Sequence, residues 1–325
     1  MKTAVCTRPD HVELQERPVP ELKAGFVLIR VSVCGICGSD VAAWRGSGHK
    51  TFPHSPGHEF CGVIERMGEG VPGLALGQRV VINPNLGCGA CRFCEMGRPN
   101  LCDSLKTRPI KSNGGLAEYV ALDYRMAHPL PDGLPDELAP FVEPLSCALH
   151  MADAARVEPG DRVAIFGAGL TGFLTGMVLA SAGADVVLVE PAERRRRRAA
   201  ELLDLPVVAA GAPAGEIDAA VDCSGSGHAV AEAVRALRKA GRLILAGLVA
   251  SPDGAGISLI DVTTKELEIK GAWLNPNTFD RAIETAAASK DVLQNLETET
   301  FSLDDVKAAF VRAASPDAPK VLVRP

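Results

Sequence analysis

From about Glu158 onward, short and almost wholly apolar runs alternate with longer segments whose apolar residues recur at helical spacing. Arg162 to Phe166 reads as a strand, Leu170 to Ala182 as a helix of small and apolar residues, and Ala184 to Val189 as a second strand. Pro191 to Leu203 is again helical. A strand at Ala219 to Cys223, a helix around Ala229 to Lys239 and a strand at Arg242 to Ala246 follow. Strands that alternate with helices predict an α/β unit with a parallel sheet and crossover helices, over about residues 151–277.

Residues 1–150 have another texture. They are rich in Gly, Pro and Cys, and their β-branched runs (Phe26 to Val33, Arg79 to Ile82, Ala117 to Leu122) are short and bounded by turn residues. That pattern predicts an irregular, mainly β domain. From about Asn277 the chain carries two helical segments, Phe279 to Ser289 and Leu303 to Ala314, and an apolar strand, Lys320 to Val323.

Composition narrows the partners. A length of 325 residues suits two domains, and a hydrophobic content of 47% lets each bury a core. The net charge of -6 gives no electrostatic reason to expect nucleic acid or an anionic membrane. No apolar stretch is long enough to span a bilayer and no apolar leader opens the chain, so a cytoplasmic protein is expected. The one charge block, Arg194 to Arg198, reads as the solvated face of a helix.

Two kinds of chemistry stand out. The first lies between the strand at Arg162 and the helix at Leu170, where Gly167-Ala168-Gly169-Leu170-Thr171-Gly172 holds the pattern Gly-x-Gly-x-x-Gly. The glycines allow a tight turn, close approach to a pyrophosphate and close helix packing, and the helix start supplies amide donors. The next strand ends in Glu190, 18 residues after Gly172, where a carboxylate can grip a ribose 2′-hydroxyl. A carboxylate there favours NAD over NADP. Arg195 and its neighbours pull the other way, and Glu190 could also be an ordinary surface residue at a strand end.

The second is thiol chemistry. Cys88, Cys91, Cys94 and Cys102 fall within fifteen residues and supply four thiolates, enough to close the tetrahedral shell of a structural Zn²⁺. Disulfides and an iron–sulfur cluster are the other uses of four such cysteines. A more dispersed set comprises Cys34-x-x-Cys37, Gly57-His58-Glu59 and Glu143. Cys37, His58 and a carboxylate would form the mixed S, N, O set of an open, catalytic zinc. Cys34 and Cys37 could equally be a redox pair or a second structural clip.

Taken together, these segments resemble the zinc-dependent medium-chain dehydrogenases, and more narrowly their sorbitol (polyol) dehydrogenase-like branch. The resemblance rests on Cys34-Gly35-Ile36-Cys37-Gly38-Ser39-Asp40, Pro56-Gly57-His58-Glu59, the four-cysteine loop and Gly114-Gly115-Leu116-Ala117-Glu118-Tyr119, in that order. Glu143-Pro144-Leu145-Ser146, Gly167-Ala168-Gly169 and Asp222-Cys223-Ser224-Gly225 complete it. It implies a GroES-like catalytic domain over residues 1–150, completed by about 278–325, beside the Rossmann domain.

It further implies one catalytic and one structural zinc per chain, with NAD as hydride acceptor. Cys37 and His58 would be ligands, and Glu59 a ligand or an exchangeable neighbour of the metal. Glu143 stands where polyol-oxidising members carry glutamate and ordinary alcohol dehydrogenases carry cysteine. Cys34 and Cys147 match no ligand position. Asp40 would orient the ligand histidine, and Ser39 would hydrogen-bond the substrate hydroxyl and start its proton outward. The implied reaction is oxidation of a secondary alcohol on a small polyol, sugar or cyclitol. Simple alcohols and amino-alcohols such as threonine are alternatives, and a non-catalytic zinc- and nucleotide-binding redox sensor is the alternative of another class. A homodimer or homotetramer is implied as well.

Two positions depart from the family pattern. Ala42 stands where many relatives carry a proton-relaying histidine, which leaves water, His49 or His54 as exits. Between Pro206 and Asp218 the connection is brief where relatives usually carry another helix. Trp44, His49 and Leu274 are candidates to line the substrate pocket.

Overall fold

The computed structural model of the chain describes residues 1–47, 51–107, 114–211, 216–247 and 256–325. Two compact units are present, Met1–Glu143 with Phe279–Pro325, and Pro144–Thr278. The chain first passes from one to the other inside the helix Val142–Ala155, between Glu143 and Pro144.

The second unit is built on six parallel strands. Their order across the sheet is Val207–Val208, Asp185–Val189, Arg162–Phe166, Ile217–Asp222, Leu237–Leu245 and Glu268–Gly271. Chain order therefore reverses between Arg162–Phe166 and Ile217–Asp222, and beyond the carboxyl ends of two such strands the following loops diverge and leave a crevice. Ala164, Phe166, Val189, Ala220 and Leu243 are buried in the core of this unit. The strand Arg162–Phe166 lies where the apolar run predicts it.

One helix is shorter than its periodicity suggests. The helix Gly227–Ala236 stops before Lys239, because Leu237 turns away to pair with Ile217 in the sheet. Lys265 Nζ donates to the carbonyls of Val234, Arg235 and Leu237 at 3.3, 2.8 and 3.0 Å and so satisfies the helix end from a distant segment. The short connection before Asp218 is also seen: the described residues between Val208 and Ile217, 209–211 and 216, form no helix.

The first unit is mainly β. Its seven-stranded sheet runs Thr298–Ser302, Lys320–Arg324, Phe26–Gly35, Glu59–Met67, Arg79–Ile82 and Ala127–Pro129, and Tyr119–Asp123 also pairs with Phe26–Gly35. The returning C-terminal segment is structural here, since Lys320–Arg324 is an inner strand. Its helix Val306–Ala313 buries Phe310 against Trp44, ring centroids 5.6 Å apart. No helix among the described residues is long and apolar enough to cross a membrane.

Truncating a fully buried phenylalanine removes its transfer free energy and leaves a cavity. Phe310→Ala is therefore expected to cost about 3–5 kcal/mol, read as a fall in the denaturant midpoint of the first unit. A loss below about 1 kcal/mol would show that the C-terminal helix does not belong to that core.

Candidate active site

The site grows from the carboxyl end of the strand Phe26–Gly35. Gly35 faces Glu59 on one neighbouring strand and Leu322 on the other. Ile36 N then donates to Val321 O at 2.9 Å, so the same register carries Lys320 alongside Cys37. Cys37 caps the helix Gly38–Trp44, and its amide donates to Asp40 Oδ2 at 3.2 Å. The fully buried Asp40 also accepts from Gly57 N at 3.4 Å, and its Oδ2 lies 3.3 Å from His58 Nδ1. One carboxylate thereby ties together the segments that carry Cys37 and His58. Gly57 has φ +96°, and a Cβ there would come within 2.7 Å of Leu116 N. Only glycine turns the chain to present His58 in this way.

Cys37 Sγ, a ring nitrogen of His58 and a carboxylate oxygen of Glu59 all lie within 4.8 Å of one another. A soft thiolate, an imidazole and a carboxylate, fewer than four donors, fit a tetrahedral zinc that keeps a position for another ligand. Glu143 does not share that mutual distance but is buried and feels the charges of His58, Glu59, Lys320 and Asp40. Cys34 lies outside the set, buried behind Gly57, and both Cys34 and Cys37 are free thiols.

Electrostatics are tense here. Desolvation raises Glu143 to about 7, helped by the charge of Glu59 and opposed by that of His58. Burial opposes the imidazolium of His58, yet Asp40 and Cys37 raise it well above the usual histidine value. The remaining charge is one that the sequence does not single out. Lys320, buried at the start of the last strand, donates from Nζ to Glu59 Oε2 in a short ion pair and to Ile36 O at 3.3 Å. Burial works against its charge, but Glu59 and Cys37 raise it above the ordinary lysine value. A lysine opening an apolar strand is the only local signal, and it equally describes a lysine in solvent.

The other expected positions differ in their surroundings. Ser39 is exposed on the first turn of its helix, and Ala42 is exposed. Trp44 is not a pocket residue: it is 7% exposed and packed into the first unit's core with Phe310. His54 is buried, bridged by its backbone to Cys6 and stacked on Phe52, which places its ring in packing and not on a path to solvent. Leu274 belongs to the second unit, half-buried with φ +59°. His49 lies outside the described residues.

The four-cysteine loop is a second donor set. The sulfurs of Cys88, Cys91, Cys94 and Cys102 lie within 4.8 Å of one another. Backbone amides point at them: Cys88 N and Ser104 N donate to Cys102 Sγ at 3.2 and 3.3 Å, and Ala90 N to Cys88 Sγ at 3.4 Å. The amides of Cys94 and Asp103 pull the Cys91 thiol down to about 6. Four thiols with amide support, and no further donor in the set among the described residues, match a closed Zn²⁺ shell, which holds thiolates.

In the second unit, Gly167 has φ +101°, and a Cβ there would meet Ser224 at 3.2 Å across the crevice between the two central strand ends. Gly169 caps the helix Leu170–Ser181, with Leu170 and Thr171 in its first turn, and Gly172 packs so closely on Gly167 O that no side chain fits. Glu190 is buried at the end of its strand, with Oε2 accepting from Ala168 N at 2.9 Å and Oε1 from Ala192 N at 2.9 Å and Arg195 at 2.7 Å. It thus braces the glycine loop, so it is not a surface residue. Burial would raise its carboxyl, but Arg195 and these amides hold it below the usual value. Arg196 donates to Glu190 O and Pro191 O at 2.9 and 2.6 Å, so part of the arginine block is committed to the turn.

Comparison with known proteins agrees with both units. The family described as Alcohol dehydrogenase GroES-like domain matches residues 23–132, and the one described as Zinc-binding dehydrogenase matches residues 171–288. The chain is 30% identical to a sorbitol dehydrogenase of Halalkalibacterium halodurans, over 100% of this chain and 99% of the relative. A zinc-binding dehydrogenase of Sinorhizobium meliloti 1021, solved bound to NADP, superposes with TM-score 0.91 at 30% identity, covering 100% of this chain and 99% of that one. An alcohol dehydrogenase (rspB) of E. coli CFT073, solved with NADH, does so with TM-score 0.92 at 28% identity and the same coverage. With two metal-type donor sets in one unit and a nucleotide-type glycine loop in the other, the chain belongs to the zinc-dependent medium-chain dehydrogenases, in their sorbitol (polyol) dehydrogenase-like branch.

Proposed function

We propose that the chain oxidises a secondary alcohol on a small polyhydroxylated substrate, a polyol, sugar or cyclitol, and passes the hydride to NAD. The observation that carries this reading is the convergence of Cys37, His58 and Glu59 within 4.8 Å, with Glu143 buried beside their charges. Cys37 and His58 would hold a catalytic zinc, with Glu59 and Glu143 as its carboxylates. Cys88, Cys91, Cys94 and Cys102 would hold a structural one. When bound, zinc supplies Lewis acidity toward the substrate hydroxyl, and the nicotinamide supplies the hydride acceptor.

The chain's own residues do the rest. Asp40 fixes the His58 ring through Nδ1, which leaves Nε2 for the metal. Ser39 would accept a hydrogen bond from the substrate hydroxyl and relay its proton, taking it up as the serine's own hydroxyl proton passes to water. Because Ser39 is itself exposed, that proton can reach water without the histidine that Ala42 replaces. Gly167, Gly169, Leu170, Thr171 and Gly172 form the amide-lined turn for the pyrophosphate, and Glu190 supports the ribose side. Glu190 accepts one hydrogen bond at Oε2 and two at Oε1, which leaves an Oε2 lone pair for a 2′-hydroxyl, and its charge would repel a 2′-phosphate, which favours NAD. Arg195, which partly neutralises it, keeps the preference moderate. For assembly, the edge strand Glu268–Gly271 pairs only with Leu237–Leu245 among the described residues. Ile269 and Trp273 are exposed on or beside it and Leu259 and Ile260 on a nearby helix, and this supports a homodimer or homotetramer.

Polyols, cyclitols, aminocyclitols, simple alcohols and threonine, screened by NADH absorbance, should show the highest kcat/KM on a hydroxyl-rich substrate. NAD should be preferred over NADP by roughly tenfold, about 1.4 kcal/mol. No turnover in the panel by zinc-loaded protein would favour a non-catalytic sensor.

Metal analysis should find two zincs per chain. Cys37→Ser should lose one of them and activity by about 10³-fold or more while the fold persists. Cys91→Ser should lose the other and lower the Tm first, because structural zinc contributes directly to folding.

Metal affinity at the first site should be pH-dependent. Ligands bind deprotonated, and both Glu143, at about 7, and His58 hold protons more tightly than usual. Protons therefore compete increasingly as pH falls. Chelator titration should show affinity dropping steeply below about pH 7, and a flat profile from pH 8 to 5 would contradict the proposed ligands.

A further inference from the structure

The glycine turn and Glu190 supply one side of the nucleotide crevice, and the end of the strand Ile217–Asp222 supplies the other. In the sheet, Asp185–Val189 flanks Arg162–Phe166 on one side and Ile217–Asp222 flanks it on the opposite side. With the adenosine ribose at Glu190 and the pyrophosphate at the glycine turn, the nicotinamide half of a dinucleotide falls to the Asp222 side. Three backbone segments meet there with almost no side chain between them. A Cβ on Gly167 would lie 3.2 Å from Ser224 Cα, and one on Gly247 would lie 2.1 Å from Gly225 N.

Asp222 stands at the centre of this junction and is 0% exposed. Its main-chain carbonyl accepts from Ala246 N and Gly247 N at 3.0 and 2.8 Å, which holds the end of the neighbouring strand. Its Oδ1 accepts from Ser224 N at 2.9 Å and from Ser224 Oγ at 2.6 Å, which holds the turn that follows. Ser224 Oγ also accepts from Ser226 N at 3.1 Å, so the bonds continue to the start of the helix Gly227–Ala236. Asp222 Oδ2 has no hydrogen-bond partner among the described residues. Burial raises the carboxyl above its ordinary range, against the pull of Ser224 and the Gly225 amide. A buried carboxyl with one oxygen unpaired is costly, and an apolar residue would pack there at less cost. The cost points to what Oδ1 holds.

We propose that Asp222 is a positioning residue for the nicotinamide half of the cofactor, fixing the wall of the crevice that faces Gly167. This rests on the nucleotide reading above and adds a second wall to it. Without Oδ1, the amide and hydroxyl of Ser224 lose their shared acceptor, and the turn can lean into the crevice or away from it. The nicotinamide half would then have to order the turn as it binds, and that ordering subtracts from affinity. The adenosine half, held by the glycine turn and Glu190, is left as it was.

Calorimetric titrations of the zinc-loaded protein with NADH and with ADP separate the two halves, because ADP carries the adenosine and two phosphates but no nicotinamide. Asp222→Ala should weaken NADH about tenfold and ADP by less than about twofold. Asp222→Asn keeps the Oδ1 acceptor and should stay within about threefold of the wild type for both ligands. Ser224→Ala removes one of the two bonds, should weaken NADH roughly threefold, and serves if Asp222→Ala does not fold. Combining Asp222→Ala with Ser224→Ala should add little to Asp222→Ala alone, since both act through one contact.

Unchanged NADH affinity in Asp222→Ala would overturn the proposal, and so would equal weakening of NADH and ADP, which marks general damage to the second unit. An Asp222→Asn variant as weak as Asp222→Ala would also overturn it, by assigning the effect to the charge of the carboxylate. A wild-type chain that binds neither NADH nor ADP would sink the nucleotide reading itself.

Discussion

The register of one strand governs the first unit. Phe26–Gly35 is paired with Glu59–Met67 on one side and meets Lys320–Arg324 on the other, so its last residues are held between two neighbours. Side chains alternate faces along a strand, and a slip of one residue in either pairing would carry Glu59 or Lys320 to the opposite face of the sheet. Burial of Val27, Ile29 and Val31 in the core sets that register. The metal-type donors gather at the end of this strand because the hydrophobic pattern behind them leaves the backbone no alternative.

Charge in this setting needs buried partners. Asp40 is fully enclosed and is satisfied by the amides of Cys37 and Gly57 and the ring of His58. Glu59 is satisfied by Lys320. Each pairing does two jobs, relieving a desolvated charge and aiming a donor, and the two glycines nearby exist to make room. The nucleotide loop shows the same economy: Glu190 supports the Ala168 amide while standing where a ribose would be read.

Much of this was legible in the chain. The Gly167 to Gly172 turn, the four-cysteine cluster and the Cys37 and His58 motifs are local patterns in which spacing alone constrains the chemistry. The strand Arg162–Phe166 and the helix Leu170–Ser181 follow from apolar runs whose partners are their neighbours. Elements set by distant contacts are not legible in this way. The helix after Gly227 ends early because Lys265 and Ile217 claim its last residues. Trp44, a reasonable pocket residue from its place near a site motif, belongs to the core because Phe310 returns to meet it.

What the amino-acid order determines by itself is therefore the inventory: which donors exist, at what spacing, and which loops can hold a phosphate or close a tetrahedron. The tertiary structure decides which carboxylates face which charges. Lys320 and Glu59 are separated by 261 positions and nothing near either one announces the other. Only the pairing of three strands brings them together, because backbone register and side-chain burial are properties of the whole sheet and not of any segment of it.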